Sequence, residues 1–160
     1  MRRIILIGLL FLTVTVTFGQ AVVSKKIKLT NCNATNSCID CGDIRARFKG
    51  TTGDLENYIK NHIDNKLLMQ LDFKGSIILQ LFVDTLGNPC CSSISDHPMN
   101  HLNKPIEQLR ELKFDKIISS MPVWTIATTN GLKENSYVMI QIDFINKEKI
   151  KVKYFELTDM

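Results

Sequence analysis

Gly75-Ser-Ile-Ile-Leu-Gln-Leu-Phe-Val-Asp84 decides the fold, because its apolar residues recur at the two-residue period of a strand. Ile77, Leu79, Leu81 and Val83 share one face before Leu86-Gly87-Asn88-Pro89 turns the chain. Tyr137-Val-Met-Ile-Gln-Ile-Asp-Phe144 repeats the pattern, with Val138, Ile140, Ile142 and Phe144 on one side and Gln141 and Asp143 on the other. Between them a helix is expected from near Asn103 towards Met121, with Pro105 tolerated in its first turn and Phe114-Asp115 as a break. Pro122 ends that helix by removing a donor and restricting Met121, so Trp124 leaves in an extended conformation and plugs the core. The expected architecture is α+β: two helices packed on one face of a small, largely antiparallel sheet.

Outward from that centre, Thr51-Thr52-Gly53-Asp54 predicts a helix start with Asp54 as N-cap, and Leu55, Tyr58, Ile59, His62 and Ile63 follow at helical spacing. Pro89 to Ser95 reads as the hairpin partner of the first strand; because neighbours in a strand face opposite ways, Cys90 and Cys91 are not both core thiols. Residues 21–30 fit either an edge strand or a loose leader, and 31–43 read as an irregular polar loop that needs a staple. In Lys149-Ile-Lys-Val-Lys-Tyr154, Ile150, Val152 and Tyr154 alternate with lysines, the pattern of a solvent-facing edge strand and the candidate binding edge.

Composition narrows the function. The 160 residues carry 20 Lys plus Arg against 16 Asp plus Glu, and Arg2 and Arg3 precede an apolar run from Ile4 to Phe18. Such a basic n-region and short apolar h-region predict an export signal over 1–19, then a cysteine-bearing segment over 20–50 and a folded domain over 51–160. The run is short for a spanning helix, so no stable membrane span is expected after processing. Without the signal the charge is nearly balanced, which argues against a nucleic-acid partner.

No Gly-x-Ser-x-Gly, phosphate loop or paired carboxylates stand out, so no catalytic, cofactor or metal residue is assigned and the chain is read as non-enzymatic. His97 and His101 are four apart, but Pro98 argues against the helix that would aim both at one metal. Cys38-Ile-Asp-Cys41 has redox spacing without the strand and helix that activate such thiols. In an exported chain Cys32, Cys38, Cys41, Cys90 and Cys91 are disulfide candidates, with a metal staple and a redox site as alternatives for the Cys38–Cys41 stretch.

The order Gly75, strand, Val83-Asp84, Gly87, a helix ending in Met121-Pro122-x-Trp124, then Asn130-Gly131 and a last alternating strand resembles the TonB carboxy-terminal domain family. The form it is most similar to is the exported one of Bacteroidetes-type bacteria, and the resemblance covers roughly Thr51 to Ile145. It implies a periplasmic or envelope-associated module whose sheet edge takes up an extended segment of an outer-membrane or other envelope protein, with a homodimer as a further assembly. The chain departs from the full-length transducer: it has four prolines and none before Pro89, so the long proline-rich linker and energy transduction are not expected. Ile126 also stands near where many relatives have proline. The alternative function is an exported thiol-redox or metal-stapled protein centred on Cys38 and Cys41.

Overall fold

Strands β3 (Gly75–Val83) and β6 (Leu132–Asn146) lie side by side at the centre of a computed structural model, antiparallel from Gly75↔Phe144 to Val83↔Ser136. The structure describes residues 25–29, 32, 37–39 and 42–155; the expected export signal, Cys41 and the side chain of Cys38 lie outside that description. On the far side of β3 runs β4 (Pro89–Asp96), and β1 (Lys26–Lys28) pairs antiparallel with β4. The other flank of β6 receives β7 (Lys149–Tyr154) and the short parallel strand β2 (Ser37–Ile39), and β5 (Ala127–Thr129) pairs with the start of β6 as a hairpin. The strand order is β1-β4-β3-β6-β2, with β5 and β7 also on β6.

The α+β class holds, with four helical segments among the described residues in place of two. Helix α1 (Thr52–His62) is capped by Thr51 rather than Asp54. The Thr51 hydroxyl accepts from the Asp54 N–H while the Asp54 carboxylate accepts from the Thr51 N–H, a reciprocal box that places Asp54 inside the first turn. Helix α2 (Asn65–Leu71), capped by Asp64, buries only Leu68, too little for periodicity to betray it. The helical run expected up to Met121 breaks beside the expected Phe114-Asp115, at Lys113, whose φ of 52° is left-handed, into a 3-10 helix (Ile106–Leu112) and α3 (Phe114–Ser119). Two strands also arise from the amino-terminal stretch: β1 resolves the open alternative there, and β2 corrects the expectation that 31–43 holds no strand.

One face of the sheet forms the core. Ile77, Leu79, Leu81, Val83, Ile94, Val138, Ile140, Ile142, Phe144, Ile150 and Val152 are each buried, in a single cluster with Leu55, Ile59, Leu109, Phe114, Ile118 and Trp124. A bulge keeps this face continuous: Gln80 pairs with Ser93 but Leu81 with Cys91, so Ser92 is extra, and Cys91 and Ile94 both face inward although three apart. Cys90 is thereby turned to the opposite face, opposite Phe82.

The turn after β3 is locked to Trp124. Asp84 Oδ1 accepts from the Leu86 and Asn88 amides at 2.8 Å each, and Asn88 Nδ2 donates to Oδ2 at 3.0 Å. Burial alone would raise the Asp84 carboxyl, but the Asn88 side chain and the turn amides hold it below the ordinary value. Gly87, at φ +85°, presents its carbonyl to the Trp124 N–H at 2.8 Å; a Cβ there would stand 2.6 Å from the Trp124 carbonyl oxygen. Trp124, 1% exposed, meets Phe48 edge-on at 5.9 Å, and its indole Nε1 has no partner among the described residues. Asn130 and Gly131, both at positive φ, form the two-residue turn joining β5 to β6.

Trp124→Ala should therefore lower unfolding free energy by about 3–5 kcal/mol in urea titrations, while Trp124→Phe should lose less, since it also removes an orphaned buried donor. Gly87→Ala should cost more than about 1 kcal/mol through strain and the collision with the Trp124 backbone. Parent-like unfolding midpoints for Trp124→Ala would contradict the core role.

Candidate functional site

A sheet can bind an extended segment only where an edge strand still offers backbone N–H and C=O groups, so the two edges are decisive. Along β7 the Phe155 N–H donates inward to the Met139 carbonyl, which by alternation turns the amides of Ile150, Val152 and Tyr154 away from β6. The outward Val152 N–H is occupied, donating to Glu56 Oε2 of α1 at 2.9 Å. Glu56 Oε1 in turn holds Lys60, one helical turn on. The Tyr154 hydroxyl accepts from the Phe48 N–H at 3.0 Å, and the Arg47 guanidinium lies 4.5 Å over its ring. Ile150 and Val152 point into the core. Among the described residues the terminal strand pairs with β6 alone, as an edge strand does, and one of its outward amides, that of Val152, is taken by a helix carboxylate. Side-chain alternation reports the two faces of a sheet, and Lys149, Lys151 and Lys153 mark an exposed face, not an unpaired edge.

The opposite edge is differently built. The Leu29 N–H donates to the Ser92 carbonyl and Asp96 N–H to that of Lys25, so odd residues of the β1 region face β4, and Lys26 and Lys28 turn their backbone groups outward. Arg110 of the 3-10 helix donates to the outward Lys28 carbonyl at 3.3 Å; no described residue bonds the outward groups of Lys26. Both lysine side chains lie exposed on the outer face, where Lys26 Nζ donates to Gln80 Oε1 at 2.7 Å and the Ser93 hydroxyl donates to the same oxygen at 3.1 Å. Lys26, Lys28, Gln80, Ser92, Ser93 and Tyr137 line an open trough of about 520 Å³. At the trough end Tyr137 meets Phe82 edge-on at 5.6 Å. The other end of this face is closed: Phe155 reaches His97 at 5.7 Å, and Ile78 and Gln141 beside them are buried.

Cys32 and Cys90 form a disulfide across 58 residues, tying the chain just after β1 to the outer side of β4. The link supplies a staple for the polar loop. Cys91 is a free thiol sealed in the core; burial, aided by the negative charge of Asp115, pushes it up to about 12, so it is no nucleophile at neutral pH. The two loop histidines serve loop closure: His97 Nδ1 accepts from the Met99 and Asn100 amides at 3.2 Å each, and His101 Nδ1 lies 2.8 Å from Asp96 Oδ2. Among the described residues no three His, Cys, Asp or Glu side chains converge as a metal site. No described helix is long and apolar enough to cross a membrane.

Sequence reasoning missed Lys26, Lys28, Gln80, Ser93 and Tyr137 as one surface. The signal was faint: Lys26-Ile27-Lys28-Leu29 alternates, and Gln80 interrupts the apolar run of β3 on its outer face.

Two outcomes follow for stability. Cys32→Ser should cost about 2–4 kcal/mol under non-reducing conditions and nothing in excess reductant, measured by urea unfolding. Lys60 and the Val152 N–H hold the Glu56 carboxyl below its ordinary value, so its stabilising effect is full above the unfolded carboxylate value of about 4.3 and is lost as pH falls through the lower folded value. Glu56→Ala should accordingly reduce stability by about 1 kcal/mol at pH 7, and the gap from the parent should shrink as the pH is lowered through the acid range.

No protein-family model, curated protein or solved structure matches this chain.

Proposed function

We propose that the chain is an exported, non-enzymatic module of the cell envelope that binds an extended segment of another envelope protein by strand addition, without transducing energy. The observation that carries this reading is the unequal treatment of the two sheet edges. Beside β7 a helix carboxylate occupies the outward amide of Val152, whereas on β1 the outward groups of Lys26 meet no described residue and lie next to a trough. Strand addition draws affinity from main-chain hydrogen bonds and selectivity from alternate side chains, and β1 offers both kinds of group. The basic start and apolar run of residues 1–18 and the TonB-like order of motifs support the export and envelope parts of the proposal.

Expression with a carboxy-terminal tag in a diderm bacterium tests it. The mature chain should be recovered from the periplasmic or envelope fraction with its amino terminus close to Gln20, and photocrosslinkers placed on β1 should capture envelope proteins. Intact Met1 in the cytosol, or crosslinks that are no richer on β1 than at an exposed helix position, would contradict the proposal.

A further inference from the structure

The β1 edge has a chemistry of its own, and from it we infer that its ligand is an acidic extended segment, with carboxylates at alternate positions and an apolar residue between them. The inference rests on the strand-addition reading and adds the edge and the ligand class. A strand laid beside β1 places side chains two apart on the same outer face as Lys26 and Lys28, directly opposite each lysine or one step along. Both lysines border the trough, and none of the described side chains that line it is a carboxylate. Lys26 already finds its acceptor there in a neutral amide oxygen, Gln80 Oε1, which a ligand carboxylate can replace.

Further positive charge stands beside the same edge. Arg110 reaches the outward Lys28 carbonyl, and Lys113 and Lys116 border a second hollow of about 180 Å³ together with Leu29, Leu109 and Phe114. Among the described residues the carboxylate lining that hollow is Asp115, and Glu107 nearby is paired with Lys25 at 2.6 Å. The ligand residue between the two acidic ones points to the inner side of the sheet, where Ile27 is buried and Leu29 is packed against the core; an apolar side chain fits there. Lysines on an edge repel basic strands and lose hydration without compensation against neutral ones, so the residues that guard β1 against unselected pairing select an acidic partner. The β7 edge lacks this combination, since Glu56 places a negative charge at its outward amide.

The test uses the oxidised full-length mature chain and fluorescein-labelled peptides Val-Glu-Val-Glu-Val-Glu-Gly and Val-Lys-Val-Lys-Val-Lys-Gly, read by fluorescence anisotropy. The acidic peptide should bind, with affinity falling as salt rises, and the basic one should not. Joint Lys26→Glu and Lys28→Glu substitution, on two exposed side chains, should weaken the acidic peptide about ten-fold or more while circular dichroism and thermal midpoint stay parent-like. Joint Lys151→Glu and Lys153→Glu substitution on β7 should change it less than about two-fold. If only the β7 pair matters, or if both peptides bind equally, the acidic β1 site is overturned and strand addition survives. If neither peptide binds at millimolar concentration, both readings fall.

Discussion

The pairing of β3 with β6 is the constraint on which the rest of the structure depends. Its register brings Ile77, Leu79 and Leu81 beside Ile142, Ile140 and Val138 on one face. A slip of one residue would turn that whole set towards water, so the burial of this face and the register enforce each other. The helices, the 3-10 segment and Trp124 are then the cover of a surface that already exists. Trp124 is fixed by the turn that ends β3: the Gly87 carbonyl that receives its amide belongs to the loop that Asp84 closes.

With the centre settled, the edges carry the functional argument. Each antiparallel strand points every second amide away from its neighbour, and an edge strand must give those amides to something. At β7 the answer is a helix side chain, with Glu56 held in place by Lys60. At β1 one outward carbonyl goes to Arg110, and the disulfide at Cys32 fixes the chain immediately downstream. The tie through Cys90 depends on the bulge at Ser92, because that extra residue sends Cys91 into the core and leaves Cys90 on the outer face. Placement of one thiol for burial and its neighbour for crosslinking is thus a consequence of strand parity.

Most of the sheet was legible in the sequence because β3, β6 and β7 alternate over long runs, and Pro122 and Trp124 announce the end of the helical segment. Less was legible where the physics is not periodic. The helical run breaks next to the expected Phe114-Asp115, but at a left-handed Lys113 that no glycine or proline marks, and α2 is too short to show a stripe. Strand β2 pairs with residues almost a hundred positions away, so nothing local reveals it. Disulfide partners are likewise a property of the fold: five cysteines allow many pairings, and proximity selects Cys32 with Cys90. The state of each edge was not legible for a clear reason. Alternating lysines in β7 describe which face meets water, whereas the availability of an edge depends on what docks beside it, here a carboxylate from a helix nearly a hundred residues earlier.

The central claim is that β1 keeps outward amides open at Lys26 and Lys28 while the outward Val152 amide of β7 is taken by Glu56, and amide hydrogen exchange measured by NMR on the oxidised chain reads both at once. The account predicts an alternating pattern in β1, with Ile27 and Leu29 protected and Lys26 and Lys28 exchanging rapidly, together with a protected Val152. Equal protection along β1, or a Val152 amide that exchanges as freely as a loop, would contradict it.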